Sequence, residues 1–406
     1  MGENCDFRNG TDLIEENGQS LIAVINEVNR RKQANLAPTQ RCYTNSIVGA
    51  SMGGQVVRWA LRTMENQNTE HDCKLYFSLD SPHKGATIPL ALQAFIKFGA
   101  EHGPEDATRQ VFRERWEGLQ SPAPKQLLAF HLATNGEHTA YINMMNQLGY
   151  PQKTRNIASA NGSGVGNNQG YSNNTLMGGA HGAINIFSLG TATVFNLDLF
   201  AAGNSTISKF FRVLEQPSKT HLHLLTGHMM LEKQSNNTVV YKDGEVQRTL
   251  LFNGAIPTSQ WDRSQTVTFD KDFTNWDNSP GGNRNDISGS FLDAIEDGLK
   301  DQGFNYSIAR PGLRQSFIPT VSALDLATDN MHTNASDFIG LASNPNTGTT
   351  PFKSIFIQSN NQAHVFMSQG LLDFAKTEIF ANTKVSCGGS TTAPQGPGDV
   401  EPPSGN

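Results

Sequence analysis

Residues 42–79 constrain this chain more than any other stretch. Cys42 to Gly49 (CYTNSIVG) reads as a short strand, and GASMGG turns sharply after it. A helix follows with Val56, Val57, Ala60, Leu61 and Met64 on its inward side, and Lys74 to Leu79 (KLYFSL) reads as the next strand. Strand, helix, strand in so short a span is a βαβ unit, which requires a parallel sheet with helices on its faces. The expected fold class is therefore α/β. The turn also carries chemistry. Gly49-Ala50-Ser51-Met52-Gly53 is GxSxG between a strand and a helix, the context that motif needs. A serine on such a turn sits in a strained backbone, and small neighbours two positions away let the chain fold back. The helix start beyond it aims free N–H groups at developing negative charge. Ser51 is the candidate nucleophile and the Met52 N–H the candidate oxyanion donor. The competing reading is an ordinary glycine-rich β–α turn.

A second motif, Asp80-Ser81-Pro82-His83-Lys84-Gly85-Ala86, ends the next strand. With GASMGG one helix earlier, the span Tyr43 to Pro89 resembles the lipase/esterase branch of the α/β-hydrolase superfamily. The resemblance implies an α/β-hydrolase-like parallel sheet flanked by helices. It also implies a serine hydrolase that cleaves carboxylic esters through a Ser-His-Asp triad and an acyl-enzyme. Its substrate would be a small-molecule or lipid ester, with no cofactor and no metal. The family's chain order is Ser, acid, His, with the base on the loop after the last strand. Ser354 to Gln358 is the last strand candidate and Ser368 opens the last helix. The loop between them, SNNQAHVFM, holds a single histidine, His364, which is the candidate base. His332 is the runner-up, and His83 is read as shaping the rim of the site. The acid has two candidates. Asp325, in FIPTVSALDL, follows the penultimate strand, where the family usually places it. Asp80 sits at the tip of the strand after the nucleophile helix, where some lipases carry theirs, or else is a turn residue bonding its own backbone. The family pattern would put the acid near Gln315 or Ser316, and neither can serve. Asp329 is a further possibility.

The rest of the chain is organised around this core. A helix over residues 11–33 is expected, capped by Thr11 or Asp12. Residues 1–385 are read as one hydrolase-like domain with a helical cap (about 90–150) and a β-rich insertion (about 183–270), the latter with Asp243-Gly244 at a hairpin turn. A helix is expected over 287–299. The end, 386–406, is Gly/Pro/Ser/Thr-rich and reads as a disordered linker. In the resembled fold several strands precede the nucleophile strand, and here only one helix does. The expectation is an N-terminally truncated sheet, arising from a fragment, from a minimal variant, or from completion by the β-rich insertion. Leu90, Leu92, Phe95, Ile96 and Phe98 line an acyl pocket, form a lid, or are simply core.

Composition narrows the alternatives. Charged residues make up 17% of the 406 and the net charge is −6, so neither a disordered polyelectrolyte nor a nucleic-acid binder is expected. No apolar run is long enough to span a bilayer, and no signal peptide is visible. The polar loops point weakly to a secreted or cell-surface protein. Cys5, Cys42, Cys73 and Cys387 have no ligand-like spacing. Two metal readings are weighed against plain surface roles. One is His221 and His223 on one face of a strand, with His228 nearby in sequence. The other is Asp270, Asp272, Asp277 and Asp286 in a turn-rich loop suited to calcium. Two other functions stay open: a hydrolase-like binding or surface protein without catalysis, and an acyltransferase or amidase on the same scaffold. Oligomeric state is not legible.

Overall fold

The computed structural model describes residues 10–383 apart from 36–43, 103–106, 134–135, 173–174, 187–189, 202–205, 218–221, 251–261, 275, most of 285–304, 310–313 and 332–348. The terminal linker, the 287–299 helix, His332, Asp286, Cys5, Cys42 and Cys387 therefore lie outside the described residues or nearly so.

The chain is α/β. Four parallel strands form its central sheet: β1 (Asn45–Ala50), β2 (Cys73–Leu79), β3 (Arg155–Ser163) and β13 (Ser354–Gln358), in the order β1-β2-β3-β13. Alternation along β2 explains its two-sided burial. Leu75, Phe77 and Leu79 pack with Leu371 and Ala375 of α8 (Gln369–Thr383), while Tyr76 faces Leu61 and Met64 of α2 (Met52–Asn66). Helix α1 (Ile14–Asn35) packs on α2. Its first N–H groups need acceptors from outside the helix. The N–H of Ile14 finds one in the Gln126 side chain (2.8 Å), a partner 112 residues away rather than the expected Thr11 or Asp12.

Helices α3 (Leu90–His102), α4 (Ala107–Gln120), α5 (Pro122–Leu127) and α6 (Glu137–Leu148) follow β2. α3 is buried almost all round: Leu90, Leu92, Phe95, Ile96 and Phe98 are core, in one cluster with Leu197, Ile207, Met229 and Tyr241. These apolar residues join two layers and do not line an open acyl pocket.

The β-rich part is larger than expected from sequence. The strands β4 (Leu176–Ile186), β5 (Gly190–Phe200), β6 (Thr206–Pro217), β7 (Leu222–Ser235), β8 (Thr238–Leu250) and β9 (Arg263–Thr268) form an antiparallel meander. A later strand, β11 (Asn305–Ala309), pairs with β4 at its edge. Asp243-Gly244 is not a turn. It lies inside β8, opposite His228 and Met229, and the β7–β8 turn is at Asn236-Asn237. The reason is electrostatic: the Asp243 carboxylate is buried against Arg263 (3.0 Å) and is not free to shape a turn. This sheet is separate from the parallel one, so among the described residues the insertion does not complete the central sheet. β1 pairs only with β2 there, and Val48 on it is exposed.

A two-stranded ribbon, β10 (Gly281–Arg284) with β12 (Gln315–Pro319), and the short helix α7 (Thr320–Ala323) close over the end of β3. No described helix is long and apolar enough to cross a membrane.

Candidate active site

Three side chains meet at the C-terminal ends of the parallel strands. Ser51 lies between β1 and α2 with φ 53 and ψ −129, a conformation that L side chains rarely adopt. Its backbone N–H donates to Leu79 O (2.9 Å), so the turn hangs from the end of β2. Close packing fixes which glycines are needed. A Cβ at Gly49 would collide with the backbone of Gly53, and one at Gly54 with the Ser81 side chain. Nothing lies near a Cβ built at Gly53. The steric demand therefore falls on Gly49 and Gly54, not on the second glycine of GxSxG. Helix α2 begins at Met52, directly after Ser51; Gly54 N–H donates to Ser51 O (3.1 Å), and the N–H groups before it have no acceptor within the helix.

The loop after β13 brings His364 to Ser51. His364 Nε2 is 2.8 Å from Ser51 Oγ, and Nδ1 is 2.7 Å from Asp80 Oδ2. Atom roles follow from chemistry. An ionised carboxylate only accepts, so Nδ1 carries the proton, and Nε2 of the neutral ring accepts the Ser51 hydroxyl. Asp80 ends β2 with φ 46 and is fully buried, while His364 is 10% exposed. The other Asp80 oxygen accepts the Asn161 N–H (3.0 Å). Gly282 of β10 lies against Asp80 Oδ2, where a Cβ would collide with the carboxylate. The Phe317 ring stands edge-on to the imidazole, 5.0 Å between centroids, and Arg284 lies over the Phe317 ring. Beyond His364, Val365, Phe366 and Met367 are exposed.

The other acid candidates go elsewhere. Asp325 does not reach His364. It also has a positive φ (45), but its Oδ2 accepts the Tyr150 hydroxyl (2.7 Å) and lies 3.8 Å from Arg58 Nη1. The physical reason is position: Asp325 follows α7 and faces the base of α2, where Arg58 is buried over the Tyr150 ring. Asp329 pairs with Lys84 at the surface (3.2 Å). His83 belongs to the Asp325 group. Its Nδ1 is 3.1 Å from Tyr150 Oη and its Nε2 is 2.7 Å from Ser78 Oγ. Burial, helped by the Arg58 charge, holds the His83 pKa well below the ordinary histidine value, so the ring is neutral.

Among the described residues the metal readings find no common site. Asp270 accepts from Thr139 Oγ1. Asp272 accepts from the backbone and hydroxyl of Thr274, and Asp277 is buried beside Thr87. His221 and the His223 side chain lie outside the description, and His228 is buried. Among the described residues, the one group with metal-ligand spacing is Glu101, His102 and Asp243. The Arg263 guanidinium already bonds all three. Cys73 is a buried thiol pushed up to about 12 by burial, hence unreactive. A cleft of about 380 Å³ opens between α1, α5 and α6, lined by Leu13, Pro122, Tyr141 and Met144.

Residues that sequence reading passed over complete the site. Asn161 and Asn361 pin the base loop, and Gly282-Asn283 of β10 lies along it: His364 N–H donates to Asn283 O (2.8 Å). The sequence offers little signal for them, because asparagine and glycine there read as ordinary turn residues. No family model matches the chain, and no curated protein or solved structure does either.

Proposed function

We propose that this chain is a serine hydrolase of the α/β-hydrolase kind, cleaving carboxylic esters, with Ser51 as nucleophile, His364 as base and Asp80 as the acid. The observation that carries the reading is the continuous relay Ser51 Oγ–His364 Nε2 and His364 Nδ1–Asp80 Oδ2, at 2.8 and 2.7 Å, built on a strained strand-to-helix turn. A surface histidine and a turn aspartate have no reason to converge on one serine from 313 and 29 residues away.

In the proposed reaction Ser51 Oγ attacks the ester carbonyl as Nε2 takes its proton. The Met52 N–H, at the positive end of α2, stabilises the oxyanion. Buried Asp80 holds the ring in the tautomer that leaves Nε2 free, and stabilises the imidazolium. Collapse expels the alcohol, which receives the proton from Nε2. Water then gives its proton to Nε2 and attacks the acyl carbonyl, and Ser51 leaves with that proton as the carboxylic acid is released. None of these steps calls for a cofactor. The exposed Val365, Phe366 and Met367 beside the base suit an ester with an apolar acyl or alcohol part.

The test is labelling of the purified chain by a fluorophosphonate probe beside Ser51→Ala. The expected result is a label on the wild type alone. A folded wild type that takes no label, or equal labelling of Ser51→Ala, overturns the proposal.

A further inference from the structure

We propose that Asn161 is a positioning residue that locks the acid and the base of this site to each other; the inference rests on the hydrolase reading above. Asn161 is fully buried near the end of β3, between the two elements it joins. Its backbone N–H donates to Asp80 Oδ1 (3.0 Å), the carboxylate oxygen that His364 does not use. Its backbone carbonyl accepts the Gln362 N–H (2.8 Å). Its side-chain Nδ2 donates to Ala363 O (3.0 Å) and to Phe366 O (2.8 Å).

These last two carbonyls bracket His364. They also bracket Val365, which is held at φ 55. For a β-branched residue that is a true outlier, so the turn persists only if its surroundings over-determine it. The surroundings are the two Asn161 bonds from beneath, the Phe366 N–H to Ala363 O (3.0 Å), and the His364 N–H to Asn283 O (2.8 Å). Only the amide end of an asparagine can satisfy two carbonyls, so the side-chain orientation is set. The cost is visible: Asn161 Oδ1 is buried with no hydrogen-bond partner in the structure. A residue that leaves one polar atom unmet to place two others serves geometry before stability. Without the amide, the Val365 turn is free to relax toward negative φ, which swings the His364 imidazole away from Ser51 Oγ.

The experiment uses the full chain with Asn161→Ala and Asn161→Asp, the latter isosteric but without donors. Hydrolysis of a 4-nitrophenyl ester gives kcat and KM, thermal unfolding reports folding, and each substitution is repeated in a His364→Ala background. The expected result is a kcat reduced roughly 10- to 100-fold with KM within about twofold, the size of loss that follows misplacement by about 1 Å. In the His364→Ala background the same substitutions change the residual rate less than about twofold, because the group they position is gone. Unchanged kcat in the folded Asn161 variants, or an equal loss with His364 already removed, overturns the role. If both variants fail to fold, Asn161→Ser keeps one donor, and the same cycle is read from it. A wild type without Ser51-dependent turnover overturns the hydrolase reading itself, an outcome distinct from an active wild type that tolerates Asn161→Ala.

Discussion

Two serine–histidine pairs branch from the same strand, and only one has its serine on a strained turn at a helix start. Ser78 of β2 meets His83 at 2.7 Å, and His83 continues through Tyr150 to Asp325. Two residues further along, Asp80 meets His364, which meets Ser51. The residue types are alike and so are the distances. The difference lies in burial and backbone. Ser78 is a regular strand residue with no exposure, its histidine is sealed and neutral, and a tyrosine separates that histidine from its carboxylate. Ser51 sits on a positive-φ turn at a helix start, and its histidine contacts the carboxylate directly. A hydrogen-bonded Ser–His pair is thus not a nucleophile by itself. Access and an unscreened acid distinguish a reactive pair from a structural one.

That contrast can be broken by substitution. The largest effect is expected at the nucleophile. Ser51→Ala lowers kcat by about 10⁶-fold, the scale seen when a triad serine is lost, whereas Ser78→Ala leaves fluorophosphonate labelling intact. Labelling that vanished with Ser78 instead would invert the comparison. The two carboxylates come next. Asp80→Asn lowers kcat about 10⁴-fold by favouring the wrong imidazole tautomer. Asp325→Asn keeps kcat within about tenfold and destabilises the fold by about 1–3 kcal/mol, because Tyr150 and Arg58 lose a buried charged partner. Rate constants and urea midpoints for both variants check this. If Asp325→Asn were the more damaging to kcat, the acid would be misassigned.

A gentler effect sharpens the same contrast through pH. Burial holds His83 well below the ordinary histidine value and lowers His138 to about 4. Below about pH 6.5 the unfolded chain binds a proton at each of these rings, while the folded chain does not. Stability is therefore lost as pH falls below that point, approaching about 1.4 kcal/mol per pH unit for each ring. For His138 the loss levels off near pH 4. Urea midpoints between about pH 7.5 and about pH 5 test this, and a flat series would mean that the rings protonate in place. The smallest effect is expected from Tyr150→Phe. It removes the hydroxyl that donates to Asp325 and meets His83 Nδ1, costs about 1–2 kcal/mol of stability, and leaves kcat nearly unchanged.

Legibility followed locality. The β1–α2–β2 unit and the Ser51 turn were readable because strand, glycines and helix are contiguous. His364 was readable because its loop falls between the last strand and the last helix. The choice between Asp80 and Asp325 was not, since it depends on which strand end faces the imidazole, and that is set by the β1-β2-β3-β13 order. Asn161 left no trace in a sequence rich in loop asparagines. Asp243-Gly244 misled because burial of Asp243 against Arg263 overrode a local turn preference, and the apolar run of α3 stayed open between pocket, lid and core because the sheet that covers it lies far along the sequence.

The span between Ser51 and His364 has a consequence for how such a protein is made. A ribosome exposes the serine turn first, and the histidine loop emerges 313 residues later. At synthesis rates of about 5–20 residues per second that is a delay of some tens of seconds. Over that interval the nascent chain carries the proposed nucleophile without the proposed base. On the proposed reading, the serine gains its base only once β13 docks beside β3.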